Sequence, residues 1–380
     1  MRKILIISTV LTPPVKSGCQ KCILEYSEIF KKFNSDLYFL FISGWKKNDE
    51  EDYFQCKKFW GDHFYDYKKK NLMRLISRLF SFIYVYFFKH NRIDDMYPFG
   101  VEKKVKEIIK KQNIDLVIVN YIELSRLFLY LNDVKKVIFT HDVFSNKKEI
   151  LGIKKVRYNL SPTQERLGLK RADIILAIQE NEATYFSYLV PNVLVYTVFT
   201  PFRVCRIPLT YNKNILFFSG KSDLNYNGLK SFVMNVFPLI LAKVADAQLL
   251  VGGEICDRED LFIETSNVKR IGRIDNEKDF YEMGDICINP VYQGTGLKIK
   301  TFEALSYGRI VVTNPHSLNG IFRPNDAPLF IANSAEDFAL TIIDLLYKQE
   351  MRKVISDASC KYIEDMNSYI YEQYEKVLNN

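Results

Sequence analysis

Residues 289–313 read NPVYQGTGLKIKTFEALSYGRIVVT. The apolar run Ile286–Ile288 leads into Pro290 and a Gly294-Thr295-Gly296 turn. Lys298 and Lys300 follow, then a helical stretch carrying Glu303, then Gly308 and a second apolar strand, Ile310–Val312. Strand, glycine turn, helix and strand in this order mark an α/β protein. A glycine turn feeding a helix N-terminus presents unpaired backbone N–H groups and the positive end of the helix dipole, which is a seat for phosphate. Lys298 and Lys300 add positive charge to it. Glu303 is expected about two turns into the helix, too deep to cap it and placed to accept hydrogen bonds from hydroxyls attached to that phosphate. A phosphate seat joined to a hydroxyl acceptor suggests a nucleotide-sugar. Such a turn occurs in any α/β protein, and first-turn lysines can simply be solvated, so spacing alone leaves both readings open.

Outward from this stretch the chain repeats strand, loop and helix. Lys3–Thr9 is a continuous apolar run, as a buried parallel strand should be. Ser17–Phe33 reads as a helix and Leu37–Ile42 as a strand. Leu116–Val119, Val137–Thr140 and Ile174–Ile178 read as further buried strands. A passage with Pro191, Pro201 and Pro208 interrupts the pattern. It restarts with a strand at Ile215–Phe218, a helix at Gly228–Val244 and strands at Gln248–Gly252 and Val268–Ile271. The last helix is expected at about Tyr369–Leu378. The alternation predicts two doubly wound parallel sheets. The expected organisation is a first domain over 1–205, a second over 206–365, and a C-terminal helix, 366–380, packing back on the first. Ligand would bind at the carboxyl ends of the strands, in a cleft between the halves.

Length and composition fit this. The chain has 380 residues, 48% of them hydrophobic, with 16 Gly and 12 Pro, and is packed rather than disordered or repetitive. A net charge of +8 suits an anionic small ligand or membrane surface. No dense basic stripe with a nucleic-acid motif occurs, so no nucleic-acid partner is expected. The cysteines number seven and are scattered. Cys19 and Cys22 form a C-x-x-C without a second pair or a nearby His, so bystander thiols in a reducing cytoplasm are expected and no metal site. Residues 1–11, MRKILIISTVL, imitate a signal peptide, but the apolar run is short, no small-x-small site follows, and Pro13-Pro14 come next. The segment Lys68–Arg92, KKKNLMRLISRLFSFIYVYFFKHNR, combines basic flanks, Arg74 and Arg78 with an aromatic core. It is too short and too charged to span a bilayer. It is expected to lie at a membrane interface or cover an acceptor site, with an ordinary core helix as the alternative.

Four features carry a family resemblance. Gly18 follows the first strand; His141-Asp142 follow Val137–Thr140; Ser219-Gly220-Lys221 follow the first strand of the second half; the opening stretch is the fourth. The chain resembles the GT-B glycosyltransferases, and among them glycosyltransferase family 4. The resemblance is most specific within Ile271–Thr313, GRIDNEKDFYEMGDICINPVYQGTGLKIKTFEALSYGRIVVT, with support from LFFSGKSDLNYNGLKSFVMNVFP and RADIILAIQENEATYF. It implies an α/β GT-B fold of two Rossmann-like domains facing a central cleft. Glu303 would be the second glutamate of the E-x7-E motif and hold the donor ribose. Gly294, Thr295, Gly296 and Leu297 would meet the diphosphate or sugar. Lys221, with Gly220 beside it, would face the diphosphate, a task shared with Lys298 or Lys300. Arg273 would border the nucleobase, Gly18 would let its loop approach the diphosphate, and His141 would contact the transferred sugar. Thr295 stands where the first motif glutamate is expected.

The resemblance further implies a retaining transfer without metal or cofactor, from a nucleotide-sugar to a glycan or lipid-linked acceptor. The expected setting is cell-surface polysaccharide or lipopolysaccharide assembly, at the cytoplasmic membrane face. Three other readings stand beside it. A nucleotide-sugar epimerase would want carboxylates and histidines across the cleft, which are not evident. A dinucleotide oxidoreductase would want G-x-G-x-x-G after the first strand, and Thr9–Gly18 does not supply it. A non-catalytic partner subunit has only Thr295 in its favour. Glu165 and Asp173 read as exposed or capping fold residues, and Asn225 and Asn227 as turn and N-cap residues.

Overall fold

A computed structural model describes the chain except for residues 16, 44–49, 69–83, 153–155, 157, 262–265 and 295–297. Two compact units form, residues 1–200 with 370–380, and residues 201–369. The doubly wound α/β organisation expected from the alternation is present in both.

In the first unit, seven parallel strands lie in the order β3-β2-β1-β4-β5-β6-β7. They are Lys3–Ser8 (β1), Asp36–Ser43 (β2), Phe64–Lys68 (β3), Leu116–Asn120 (β4), Lys135–Phe139 (β5), Ile174–Ala177 (β6) and Leu194–Thr197 (β7). β1 pairs with β2 from Lys3–Asp36 to Ser8–Phe41, and with β4 from Ile4–Leu116 to Ile7–Val119. Central strands are apolar throughout because helices cover both faces, so they read as continuous runs rather than alternating ones. β1 and β4 mark the point where the strand order reverses. At such a reversal the connections leave in opposite directions, which in open α/β sheets is where ligands bind.

The second unit repeats this design with six parallel strands, β10-β9-β8-β11-β12-β13. They are Asn214–Phe218 (β8), Gln248–Gly252 (β9), Val268–Gly272 (β10), Ile286–Asn289 (β11), Ile310–Thr313 (β12) and Leu329–Ile331 (β13). Here the order reverses between β8 and β11. At the opposite edge of β11 stands Asp285, fully buried, which accepts from Thr210 N (2.7 Å), Tyr211 N (2.8 Å) and Arg352 Nη1 (2.9 Å), with Arg309 Nη1 at 3.4 Å. One carboxylate thus ties the entering segment and the C-terminal helix to the sheet.

Several helices differ from expectation. The helix expected at Gly228–Val244 begins earlier, at Asp223, because Ser222 Oγ caps it by accepting from Asn225 N at 3.3 Å. It ends at Asn235, and a separate short helix, Phe237–Leu241, follows, since Pro238 cannot continue the first. Asn225 and Asn227 are therefore not N-caps. The C-terminal helix is not confined to Tyr369–Leu378 but runs unbroken over Gln349–Asn379. No Gly or Pro falls within it. Its last residues belong to the first unit, where Tyr374 meets Phe30 edge to face at 5.2 Å and Tyr371 Oη accepts from Lys32 Nζ at 2.7 Å. Glu165 is neither exposed nor a cap: it is buried, accepting from Phe144 N (2.8 Å) and Ser145 N (3.0 Å) to pin the chain after β5. Among the described residues no helix is long and apolar enough to cross a membrane. Of the segment 68–92, residues 69–83, with Arg74 and Arg78, lie outside the described residues. Residues 84–88 are helical, with Tyr86, Phe87 and Phe88 exposed.

Candidate donor site

The strand-order reversal of the second sheet opens a cavity of about 370 Å³. The chain after β8 supplies one wall, Phe218 to Asn225; the chain after β11 supplies another, Asn289 to Gly294. Lys298, Ile299, Lys300 and Glu303 close it, with Ser317. The helix of Asp223–Asn235 approaches because it carries Gly228: a Cβ there would stand 2.8 Å from Pro290 O and 3.1 Å from Val291 Cα. The loop itself is held from behind. Asn314 Nδ2 donates to Val291 O at 3.0 Å, while His316 Nε2 (3.0 Å) and Lys298 Nζ (3.3 Å) donate to Gly294 O. Gly294 has φ +125°, which disfavours any side chain. Thr295, Gly296 and Leu297 fall outside the described residues.

The helix that follows is Ile299–Ser306. Lys298 still has non-helical backbone, so Glu303 lies just past one turn in, not two. It lines the cavity, half-buried, and Tyr281 Oη stands 3.3 Å from its Oε2. Tyr281 is buried against Tyr307, the rings stacked at 4.8 Å. Burial, and then the charge of Glu303, push the Tyr281 phenol well above its ordinary range, so it stays a hydrogen-bond donor.

Two ammonium groups face the same cavity. Lys300 Nζ donates to Asn225 Oδ1 at 2.6 Å and sits 5.4 Å above the centre of the Phe217 ring. Burial, reinforced by the neighbouring charge of Lys298, brings Lys300 down to about 7. Burial also lowers Lys298. Neither has an ion pair among the described residues. Poorly solvated cations without a counter-ion, at a helix N-terminus, make a site for a multiply charged anion.

Not every residue singled out in the sequence gathers here. Gly220 lines the cavity, but the Lys221 side chain is exposed and does not. Arg273 is exposed and donates from Nε to Asp257 Oδ2 at 2.6 Å. In the first unit, Gly18 opens the helix Gly18–Lys32. His141 follows β5, with Nε2 2.8 Å from Asn120 Oδ1. Asp142 pairs with Lys147. Cys22 is pushed up to about 11 by burial, which fits an inert thiol. No group of three or more His, Cys, Asp or Glu side chains among the described residues is arranged to hold a metal ion. Asn225, Tyr281, Asn314, His316 and Asn120 carry no motif of their own, and each bonds a group distant in sequence. Only the side-chain amides after glycine turns were a visible signal.

Residues 212–348 match the family model described as glycosyl transferases group 1. Three solved structures show the same architecture along the whole chain. HepE of Anabaena, in complex with UDP and glucose, has a TM-score of 0.63 at 11% identity, over 100% of both chains. A Staphylococcus aureus TarM mutant, in complex with fondaparinux, α-GlcNAc-glycerol and UDP, has 0.65 at 12%, again over 100% of both. A glycosyltransferase from Rickettsia africae has 0.67 at 14%, over 99% of this chain and 97% of its own. No curated protein sequence matches. The fold is GT-B, and residues 212–348, within its second unit, are similar to the group 1 glycosyl transferases.

Proposed function

We propose that the chain is a glycosyltransferase, of the family 4 kind, taking a sugar from a nucleoside-diphosphate sugar. The observation that carries this is the switch-point cavity, lined by Lys298, Lys300 and Glu303, in the segment matching group 1. The diphosphate would lie on the two ammonium groups and the N–H groups that open the helix Ile299–Ser306. Glu303 would accept from the ribose hydroxyls, steadied by Tyr281. Gly294 would meet the sugar phosphates, and the resemblance assigns the transferred sugar to His141. Lys300 takes over the task first given to Lys221; Arg273, Gly220 and Gly18 remain as outer contacts to the donor. UDP in the HepE and TarM complexes supports a nucleoside diphosphate as the product.

The anomeric C–O bond to the diphosphate breaks, and a new one forms to an acceptor hydroxyl on the same face. The acceptor proton leaves with the diphosphate. Charge growing on the leaving group is met by fixed cations and N–H dipoles, so the reading needs no metal. The acceptor is a glycan or lipid-linked sugar in cell-surface polysaccharide assembly, and the chain works at a cytoplasmic membrane face. Three exposed aromatic side chains at 86–88, beside Lys89 and Arg92, support the membrane part.

The test is a panel of nucleotide-sugars, read by thermal stabilisation and by release of nucleoside diphosphate, with and without chelator. One donor is expected to stabilise the protein and turn over equally in EDTA. Glu303→Ala should weaken it by about tenfold or more, the loss of a charged hydrogen bond. If no donor binds and Glu303→Ala changes nothing, the reading fails. Binding without turnover on any acceptor mixture favours a non-catalytic partner subunit.

A further inference from the structure

Asn225 is the third residue of the helix Asp223–Asn235, and its backbone and side chain do different work. Its N–H closes the cap on Ser222 Oγ. Its side chain turns back to the preceding loop, where Nδ2 lies 3.0 Å from Gly220 O. That carbonyl can only accept, so the amide nitrogen faces it and Oδ1 faces the other way. The group on that other side is Lys300 Nζ, at 2.6 Å. An ammonium can only donate. Reversing the amide would press two oxygens together at one end and two donors at the other. The side chain is thus fixed from both ends. It ties the loop after β8 and the helix that follows it to the start of the helix Ile299–Ser306.

The partners of that ammonium are neutral. Besides Asn225 it has Ser219 Oγ at 3.4 Å and the centre of the Phe217 ring at 5.4 Å. The charged groups nearby are engaged elsewhere or repel it. Asp223, on the helix of Asn225, pairs with Arg258 Nη1 at 2.8 Å. Glu254, whose Oε2 would lie 3.9 Å from a Cβ at Gly220, is in the field of Arg273. Glu303, on the helix of Lys300, is 3.3 Å from Tyr281 Oη. Lys298 adds a like charge. An aspartate at 225 would fill the same space and suit a first helical turn equally well, but its carboxylate would neutralise Lys300. An amide holds the cation and leaves its charge for a ligand. Fixing a long side chain beforehand also removes an ordering cost from binding.

We propose that Asn225 is a positioning residue for the diphosphate: braced on the Gly220 carbonyl, its amide holds the Lys300 ammonium at the wall of the cavity without compensating its charge. That the ligand is a diphosphate rests on the glycosyltransferase reading; the brace is a property of the second unit alone.

Calorimetry on the full chain tests it, with UDP from pH 7 to 9 and inorganic pyrophosphate at pH 7. Asn225→Asp keeps the shape of the side chain and supplies a counter-charge. It is expected to weaken both ligands about tenfold at pH 7. It should also flatten the decline of UDP affinity with pH, because Lys300 paired with a carboxylate keeps its proton in the free protein too. Asn225→Ala, which removes the brace, should weaken both ligands about tenfold, and adding it to Lys300→Ala should cost nothing further. Wild-type affinity in either variant overturns the proposal. So do losses in Asn225→Ala and Lys300→Ala that add. So does an Asn225→Asp profile as steep as the wild type's, which is what a merely structural role would give. Should Asn225→Ala not fold, Asn225→Asp decides alone. If pyrophosphate behaves as expected while no nucleotide-sugar binds or turns over, the glycosyltransferase reading falls and the brace stands. If neither UDP nor pyrophosphate binds the wild type, both fall.

Discussion

Lys300 carries the most cost and the most use of any residue at the donor site. Its ammonium is brought to about 7 by burial and by Lys298 beside it, with Asn225 Oδ1 as a neutral partner. A diphosphate placed against it supplies the missing counter-charge and raises its pKa. Free protein above pH 7 has then lost a proton that the complex retains, so binding takes a proton up and affinity falls as pH rises. Below pH 7 this group is charged in both states and adds no slope. The steepest dependence is about tenfold per pH unit. Between pH 7 and 9 the nucleotide's own phosphates, with a last pKa of about 6, are already ionised. UDP affinity by calorimetry across that range should decline in the wild type and stay nearly level in Lys300→Arg, whose guanidinium remains charged. A level wild-type profile would contradict the assignment. Lys298, Lys300 and Glu303 were legible in the sequence because loop, cations and carboxylate are contiguous. Asn225, Tyr281 and Asn120 were not, because each matters only for a partner brought near by folding.

At the scale of elements, legibility followed burial. The interior strands β1, β4, β6, β8, β11 and β12 are apolar along nearly their whole length and stood out as runs. Of the four edge strands, β3, β7 and β13 are short and mostly half-exposed and carry no such signature, whereas β10 was read at Val268–Ile271 despite its exposed middle. Helix starts depended on a single cap, as Ser222 shows, and were misplaced by several residues where a later Gly drew attention. The helical residues 84–88 raise a different question, since Tyr86, Phe87 and Phe88 are exposed at 75%, 71% and 60%. Three consecutive aromatic side chains in water are unfavourable unless something apolar covers them. With Lys89 and Arg92 following, an anionic bilayer interface is the cover proposed here. In flotation with phosphatidylglycerol-rich liposomes, changing Tyr86, Phe87 and Phe88 together to Ser should cut the bound fraction about tenfold, with donor binding unaffected. Unchanged flotation would remove the membrane from the account.

For the whole molecule, alternation of strand and helix was enough to anticipate two doubly wound sheets. The places where strand order reverses, β1/β4 and β8/β11, were not readable, because sequence shows succession and not adjacency. The path of the C-terminus is the other feature set by packing. The helix Gln349–Asn379 starts in the second unit and finishes in the first, where Ile370, Tyr374 and Val377 are buried and Tyr374 packs on Phe30. Each of these side chains contributes about 1.5–3 kcal/mol if wholly buried. Removing residues 370–380 would also uncover the face of the helix Gly18–Lys32 that holds Phe30. That helix carries Tyr26, whose Oη lies 2.8 Å from Asn120 Nδ2 at the end of β4. A chain ending at Tyr369 is therefore expected to lose several kcal/mol from the first unit alone. In pulse proteolysis across a urea series, cleavage within 1–200 should shift to lower urea while cleavage within 201–369 does not. Tyr374→Ala, costing about 3–5 kcal/mol, should reproduce the direction with the backbone intact. If both units shift together, or neither does, the last turns of the helix do not stabilise the first unit independently, and the assignment of 370–380 to it is wrong.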